Sequence, residues 1–282
     1  MTKNAVLEDY YSKLFPYAYN ILGSSEDAKD AIQDVLEKYL SVKNRPVDNV
    51  TGYLIRAVIN QSINIKKKKR RVKENNIWLP EPVSTERADD HLNRDEIISY
   101  SLLVLLEKLT PRERAVFILK EAFDYSHQEI AETINSTIEN SRKLLSRART
   151  KLDVPKRIST SNSYLNTPDW LKKYIHTIRK GEVQRLKKML ADDISLAADG
   201  GGKVQVVREM TIGVSNVSDL LFHVFKTWQK SQDIQFSEMN HQPALLFYEG
   251  DILVNCQIFD VEESNIRHMY SILAPDKLRS IS

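Results

Sequence analysis

Apolar residues recur every three or four positions through the first seventy residues, the spacing of one buried stripe on a helix. Leu7, Tyr10, Tyr11, Leu14, Ala18 and Leu22 mark a first helix over 5–22, with Pro16 as a candidate kink and Gly23 as its stop. Ser24 or Ser25 caps a second helix whose inward positions are Ala28, Ala31, Ile32, Val35 and Tyr39. A polar stretch through Asn44, Arg45, Pro46 and Asp48 follows. Thr51 then caps a third helix with Leu54, Ala57, Val58 and Ile63 on its apolar side, where Tyr53 is also read as core. The pattern fails over 74–98, where Pro80 and Pro82 oppose a helix and mark a linker. It resumes with Ile97, Leu102, Leu105, Leu106 and Leu109, and Thr110-Pro111 is a helix-start signal. Three further helices fit 112–123, 126–133 and 137–152. The short 134–136 connection matches a helix-turn-helix, with Asn135 placed for a left-handed conformation.

A second polar linker spans 154–168, and beyond it the pattern changes class. Residues 170–190 are amphipathic and read as one helix, and 217–230 are helical again. Alternating or β-branched segments at 204–207, 244–248, 252–259 and 266–273 read as strands, with the Glu249-Gly250-Asp251 turn closing a hairpin. The expected organisation is an all-α domain over 1–73, a linker over 74–98, a helix-turn-helix domain over 99–153, a linker over 154–168 and an α+β domain over 169–282.

Composition removes several classes of function. Of 282 residues 41 % are hydrophobic, too many for a disordered chain, yet no run approaches a membrane span. Cys256 is the single cysteine, which excludes an internal disulfide and a thiol metal cluster and favours a reducing compartment. The first nine residues carry acids and no apolar core, so no signal peptide is read and a cytoplasmic location is expected.

Charge adds more. The net value is only +3, but the eight cations between Arg56 and Lys73 have no acid among them. Seven cations face one acid between Asn140 and Arg157, while Glu26, Asp27, Asp30, Asp34 and Glu37 concentrate acid on the second helix. Two basic faces and one acidic face point to separate polyanion and basic-protein partners. On the third helix Arg56, Asn60, Asn64, Lys67 and Arg71 follow at spacings of four and three and line one polar face. In the helix-turn-helix, Glu139, Asn140, Arg142 and Lys143 are early enough to reach base edges or nearby phosphates, and Arg147 and Arg149 come later for phosphates. Gly200, Gly201 and Gly202 before Lys203 lack the spacing of a phosphate loop and read as a turn between strands.

These segments resemble the extracytoplasmic-function group of bacterial sigma factors, the promoter-specificity subunits of RNA polymerase. EDAKDAIQDV at 26–35 is similar to the polymerase-binding helix of sigma region 2, and TGYLIRAVINQSINIKKKKRR to the promoter-melting helix after it. The stretch from LTPRERAVF to LLSRARTKL is similar to region 4, whose helix-turn-helix reads the upstream promoter element. Three further segments resemble the sigma factors fused to a C-terminal SnoaL-like domain, an α+β cone. They are Trp78-Leu79-Pro80-Glu81-Pro82, Asp199 to Lys203, and Pro275-Asp276-Lys277-Leu278. Ala274 stands where that group's pattern has Asn.

The resemblance implies that Asp30, Gln33, Asp34 and Glu37 meet the clamp coiled coil of the polymerase β′ subunit. It implies that Asn44, Arg45, Arg56 and Asn60 form the pocket for exposed non-template bases, with Asn64, Lys67, Arg70 and Arg71 along the phosphates. Trp78 to Pro82 and Asp199 to Lys203, with Asp276 and Lys277, are implied to be regulatory contacts, Asp199 and Lys203 supplying the charge. No cofactor, metal site or membrane partner is expected, and an effector of the C-terminal domain, protein or small molecule, is left open. Two other readings stand beside this one. The first is a one-component DNA-binding regulator that senses a small molecule. The second is a SnoaL-like enzyme fused to a DNA-binding module, for which His223, His241, Asp199 and Asp260 would supply acid and base groups.

Overall fold

The computed structural model describes residues 3–41, 48–69, 77–86, 94–153 and 167–281. The chain forms two compact units: 1–73 with 88–160, and 74–87 with 161–282.

The first unit is all helix. Its first three helices are α1 (Lys3–Leu22), α2 (Ser25–Ser41) and α3 (Val50–Lys69). They pack on one another through Leu14, Ala18, Ala28, Ile32, Leu54, Val58 and Ile59, all fully or almost fully buried. Ser24 caps α2 by accepting from the Asp27 amide. The α3 cap differs from the expected Thr51: Asn49 Oδ1 accepts from the Gly52 amide and starts the helix two residues earlier. Tyr53 is 45 % exposed rather than core, its ring 6.0 Å from that of Tyr39. One residue from Leu54, it is turned about 100° around the helix from that buried column and faces outward.

The second part of this unit holds α4 (Tyr100–Leu105), α5 (Pro111–Glu121), α6 (His127–Thr133) and α7 (Ile138–Leu152). Two capping boxes build it: Thr110 with Glu113 opens α5 and Ser126 with Glu129 opens α6. Asn135 adopts φ +49° between α6 and α7, and Thr137 caps α7.

The second unit is α+β, as expected. One sheet runs β2 (Thr211–Ile212), β1 (Leu190–Asp199), β6 (Asn265–Ile272), β5 (Ile252–Glu262), β4 (Gln242–Glu249), β3 (Asp233–Met239), antiparallel except between β1 and β6. Against one face lie α8 (Thr167–Lys180), α9 (Val183–Lys187) and α10 (Val214–Thr227), enclosing Tyr174, Ile178, Leu221, Leu245, Phe247, Phe259 and Met269. Trp170, Tyr174 and Phe259 form an aromatic cluster with centroids 5.0–6.1 Å apart. A short α11 (Pro275–Leu278) follows β6.

Two expected elements are corrected. The helix read over 170–190 is broken at Gly181, whose φ of +70° ends α8, and its last residue already belongs to β1. Residues 204–207 are not a strand: Val206 and Val207 pack against the apolar core from a connecting segment.

Candidate interaction surfaces and the linker clamp

The acidic face of α2 is presented to solvent. Asp30, Gln33, Asp34 and Glu37 are all exposed because Ala28, Ala31, Ile32 and Val35 turn the opposite side inward. Gln33 donates to Glu37 (2.8 Å) and Gln61 of α3 donates to Asp34 (2.8 Å), which fixes the carboxylates without neutralising them.

The basic strip of α3 is only partly open. Asn64 and Lys67 are exposed. Arg56 reaches Glu132 of α6 at 3.4 Å, and Asn60 Nδ2 donates to the Thr133 carbonyl oxygen at 2.7 Å. The pair expected to hold exposed bases is thus bonded to the end of α6. Asn44, Arg45, Arg70 and Arg71 lie outside the described residues.

On α7, Glu139, Arg142, Lys143 and Arg147 are exposed on the side away from Leu144, Leu145, Ala148 and Leu152. Lys143 pairs with Glu139 at 3.0 Å, Asn140 donates to Ser136 at 2.8 Å, and Arg149 is drawn back to Glu121 at 2.6 Å. Under this helix, His127 Nδ1 lies 2.9 Å from the Ser141 hydroxyl. Partial burial, then the charges of Arg142, Lys120 and Arg149, lower the His127 pKa.

In the α+β unit the segment 77–86 is held at two places. At the first, Asp199 Oδ2 accepts from the Leu79 amide (2.8 Å) and from Lys277 Nζ (2.6 Å), and Lys277 Nζ also donates to the Leu79 carbonyl oxygen. Leu79 is 2 % exposed, and Lys277 Nζ stands 4.4 Å from the centroid of the Trp78 ring. Both backbone groups of one linker residue are therefore read by a buried ion pair. Glycine makes the geometry available: a Cβ at Gly200 would fall 2.0 Å from the Val204 carbonyl oxygen, and the Gly201 amide donates to Asp199 Oδ1 at 2.8 Å. Gly202 is exposed at the tip of this turn, and Pro80, Glu81 and Pro82 are buried. Lys203 does not join the clamp as expected; it pairs with Asp276 at 2.6 Å, and Lys277 takes its place.

The second place was not legible in the sequence. Val83 donates to Asn240 Oδ1 (2.9 Å), the Asn240 amide donates to the Val83 carbonyl (2.9 Å), and Thr85 Oγ1 donates to Glu238 (2.7 Å). Ser84 forms an isolated antiparallel bridge with Met239, so the linker runs beside the end of β3 at the sheet edge. Nothing in Val83-Ser84-Thr85 distinguishes a strand from any polar linker.

Of the acid-base candidates, His223 lies edge-on to Trp228, His241 is 3.8 Å from Glu238, Asp260 accepts from Gln242, and Asp199 belongs to the clamp. They sit on separate elements, with no single constellation. Burial raises the Cys256 thiol pKa and keeps it a thiol. Among the described residues no His, Cys, Asp and Glu group could hold a metal ion, and no helix is long and apolar enough to cross a membrane.

Comparison with known proteins assigns the same segments. Residues 6–72 match the model of Sigma-70 region 2, and residues 99–152 that of Sigma-70, region 4. The probable ECF RNA polymerase sigma factor SigI of Mycobacterium tuberculosis is 24% identical over 272 residues, 94% of this chain and 91% of the relative. The ECF RNA polymerase sigma factor SigJ of the same organism is 24% identical over 196 residues, 67% of this chain and 62% of the relative. The crystal structure of the Mycobacterium tuberculosis extracytoplasmic function sigma factor SigJ has the same fold, with a TM-score of 0.80 at 19% identity over 99% of each chain. Sigma-70 regions 2 and 4 thus stand in order on one chain, and the similarity to extracytoplasmic-function sigma factors extends through the α+β unit.

Proposed function

We propose that this protein is the promoter-specificity subunit of a bacterial RNA polymerase and is regulated in cis by its α+β unit. The observation that carries the proposal is the division of charge over one helical unit: an exposed acidic face on α2 and cationic faces on α3 and α7. Asp30, Gln33, Asp34 and Glu37 dock a basic coiled coil of the core enzyme. Asn140, Arg142 and Lys143 enter the major groove of the upstream element, with Glu139 beside them and Arg147 on the phosphates. Arg56, Asn60, Asn64 and Lys67 hold the melted strand, together with Asn44, Arg45, Arg70 and Arg71. The protein acts where the polymerase acts, in the cytoplasm, and performs no chemistry of its own; the polymerase makes every bond.

Regulation follows from connectivity. The clamped residues Trp78 to Pro82 belong to the stretch of chain that joins the two helical parts, so whatever the α+β unit does to that stretch limits how far those parts separate. Asp199, Lys277 and the Gly200 to Gly202 turn are the gripping groups, with Lys203 and Asp276 bracing the turn from outside. An effector that binds the gripped and released forms unequally shifts the balance.

The test is multi-round transcription with purified core polymerase and the full chain. Promoter-specific product supports the reading, and altered output from Asp199→Asn supports regulation through the clamp. No specific product from either chain, with sequence-specific binding to duplex DNA in the absence of polymerase, would favour a one-component regulator instead.

A further inference from the structure

Where the two parts of the helical unit meet, a charged seam runs beside the stacked rings of Tyr17 and Phe123, whose centroids are 4.0 Å apart. Glu107, in the turn after α4, faces Lys66 of α3 at 2.7 Å and is bonded to Arg114 of α5. Arg114 Nε donates to the Asn20 carbonyl oxygen (2.9 Å) and Lys66 Nζ to that of Leu22 (2.6 Å). Those carbonyls end α1, where the helix exposes unpaired acceptors and a partial negative charge. One carboxylate and one helix end thus serve two cations. Arg114 is fully buried, and its Nη2 finds no acceptor among the described residues. Such a seam is held together at a desolvation cost, and water replaces its bonds once the parts separate; an apolar seam has no such substitute.

What the seam keeps in place is the contact of α6 with the Arg56–Asn60 end of the strip assigned to the melted strand, while Asn64 and Lys67 stay exposed. With the parts joined, Asn60 is bonded to Thr133 and Arg56 to Glu132, both at the end of the first helix of the helix-turn-helix. Asn60 Nδ2 donates to the Arg56 and Thr133 carbonyl oxygens, so a strand cannot accept from it while α6 does. We propose that Lys66, Glu107 and Arg114 form a releasable latch that holds the Arg56–Asn60 end of the strand-binding strip of α3 against α6, and that the latch opens before the promoter is engaged. This rests on the sigma-factor reading.

The experiment uses the full chain, with dyes on cysteines introduced at the exposed Lys13 and Thr150; Cys256 is buried and takes no label. Energy transfer reports closure, and transcription with core polymerase is read on the same samples. The triple variant Lys66→Met, Glu107→Leu, Arg114→Met replaces the charged seam with an apolar one. It is expected to melt at a higher temperature, to retain high transfer after core polymerase is added, and to transcribe about tenfold less, as a closed state made more favourable requires. Glu107→Gln is expected to lower transfer in the free chain. A triple variant that is less stable than wild type, that transcribes at the wild-type level, or that loses transcription while opening normally overturns the latch. Wild-type transcription in the same reactions tests the sigma-factor reading separately, so the two failures are distinguishable.

Discussion

A methyl group at Gly200 would strike the Val204 carbonyl oxygen, whereas one at Gly202 meets nothing within 4 Å, although φ there is +72°. The two glycines therefore differ in what a side chain costs. Gly202→Ala should cost about 1 kcal/mol from its left-handed backbone alone. Gly200→Ala should cost more and displace Asp199, which thermal melts of both variants will show; equal losses would mean the close approach is unimportant. At Asp199 itself, removal of the carboxylate by Asp199→Ala leaves Lys277 buried without its anion, a change that costs ~3–5 kcal/mol in comparable pairs. Chemical denaturation measures it, and a loss under ~1 kcal/mol, the range of exposed pairs, would place Lys277 in contact with water. The sequence exposed half of this clamp. Three consecutive glycines are conspicuous among eight, and an aspartate in front of them marks a built turn. Which lysine answers that aspartate was not legible, because Lys203 and Lys277 have the same chemistry and only the tertiary path brings Lys277 under the linker.

Helices declared themselves through their ends as well as their stripes. Thr110, Pro111 and Glu113 spell a capping box, and both of its hydrogen bonds are formed. Thr110→Ala should lower stability by about 1 kcal/mol, measured by denaturation. In the helix-turn-helix, His127 has its pKa lowered from 6.5 by burial and by nearby cations. A depressed pKa means that the unfolded chain binds the proton more readily. The contribution is complete above pH 6.5 and is lost as pH falls toward the lower folded value. Melting temperature should therefore fall between neutral pH and the acid side of that window, and His127→Asn should flatten the dependence; an unchanged slope would assign it to other groups. Strands were less legible than helices. Leu190 to Asp199 carries three alanines and three aspartates, poor strand formers, and becomes β1 only because β6 pairs beside it. The reverse happened at 204–207, whose β-branched residues suit a strand but have no strand partner, so their side chains serve the core from a loop.

At the scale of the molecule, charge segregation was legible before any fold, since eight cations without an acid cannot be an accident of a neutral surface. The reach of those cations was not, because Arg56, Asn60 and Arg149 are held by partners distant in sequence. Binding of the holoenzyme to promoter DNA should weaken steeply with salt, and Lys67→Ala or Arg142→Ala should each reduce the slope of log K against log salt by about one. Lys67 stands for the melted strand and Arg142 for the upstream element, so Arg142→Ala should also relax sequence preference while Lys67→Ala weakens all promoters alike. The acidic face of α2 carries the opposite expectation: it should make no contribution to DNA affinity. The most direct measurement is the affinity of the labelled chain for purified core polymerase, with Asp30→Lys, Asp34→Lys and Glu37→Lys combined as the comparison. Tight, saturable binding by the wild type and its loss in the charge-reversed chain at unchanged melting temperature are expected; binding by neither, or equal binding by both, would rule out docking through this face.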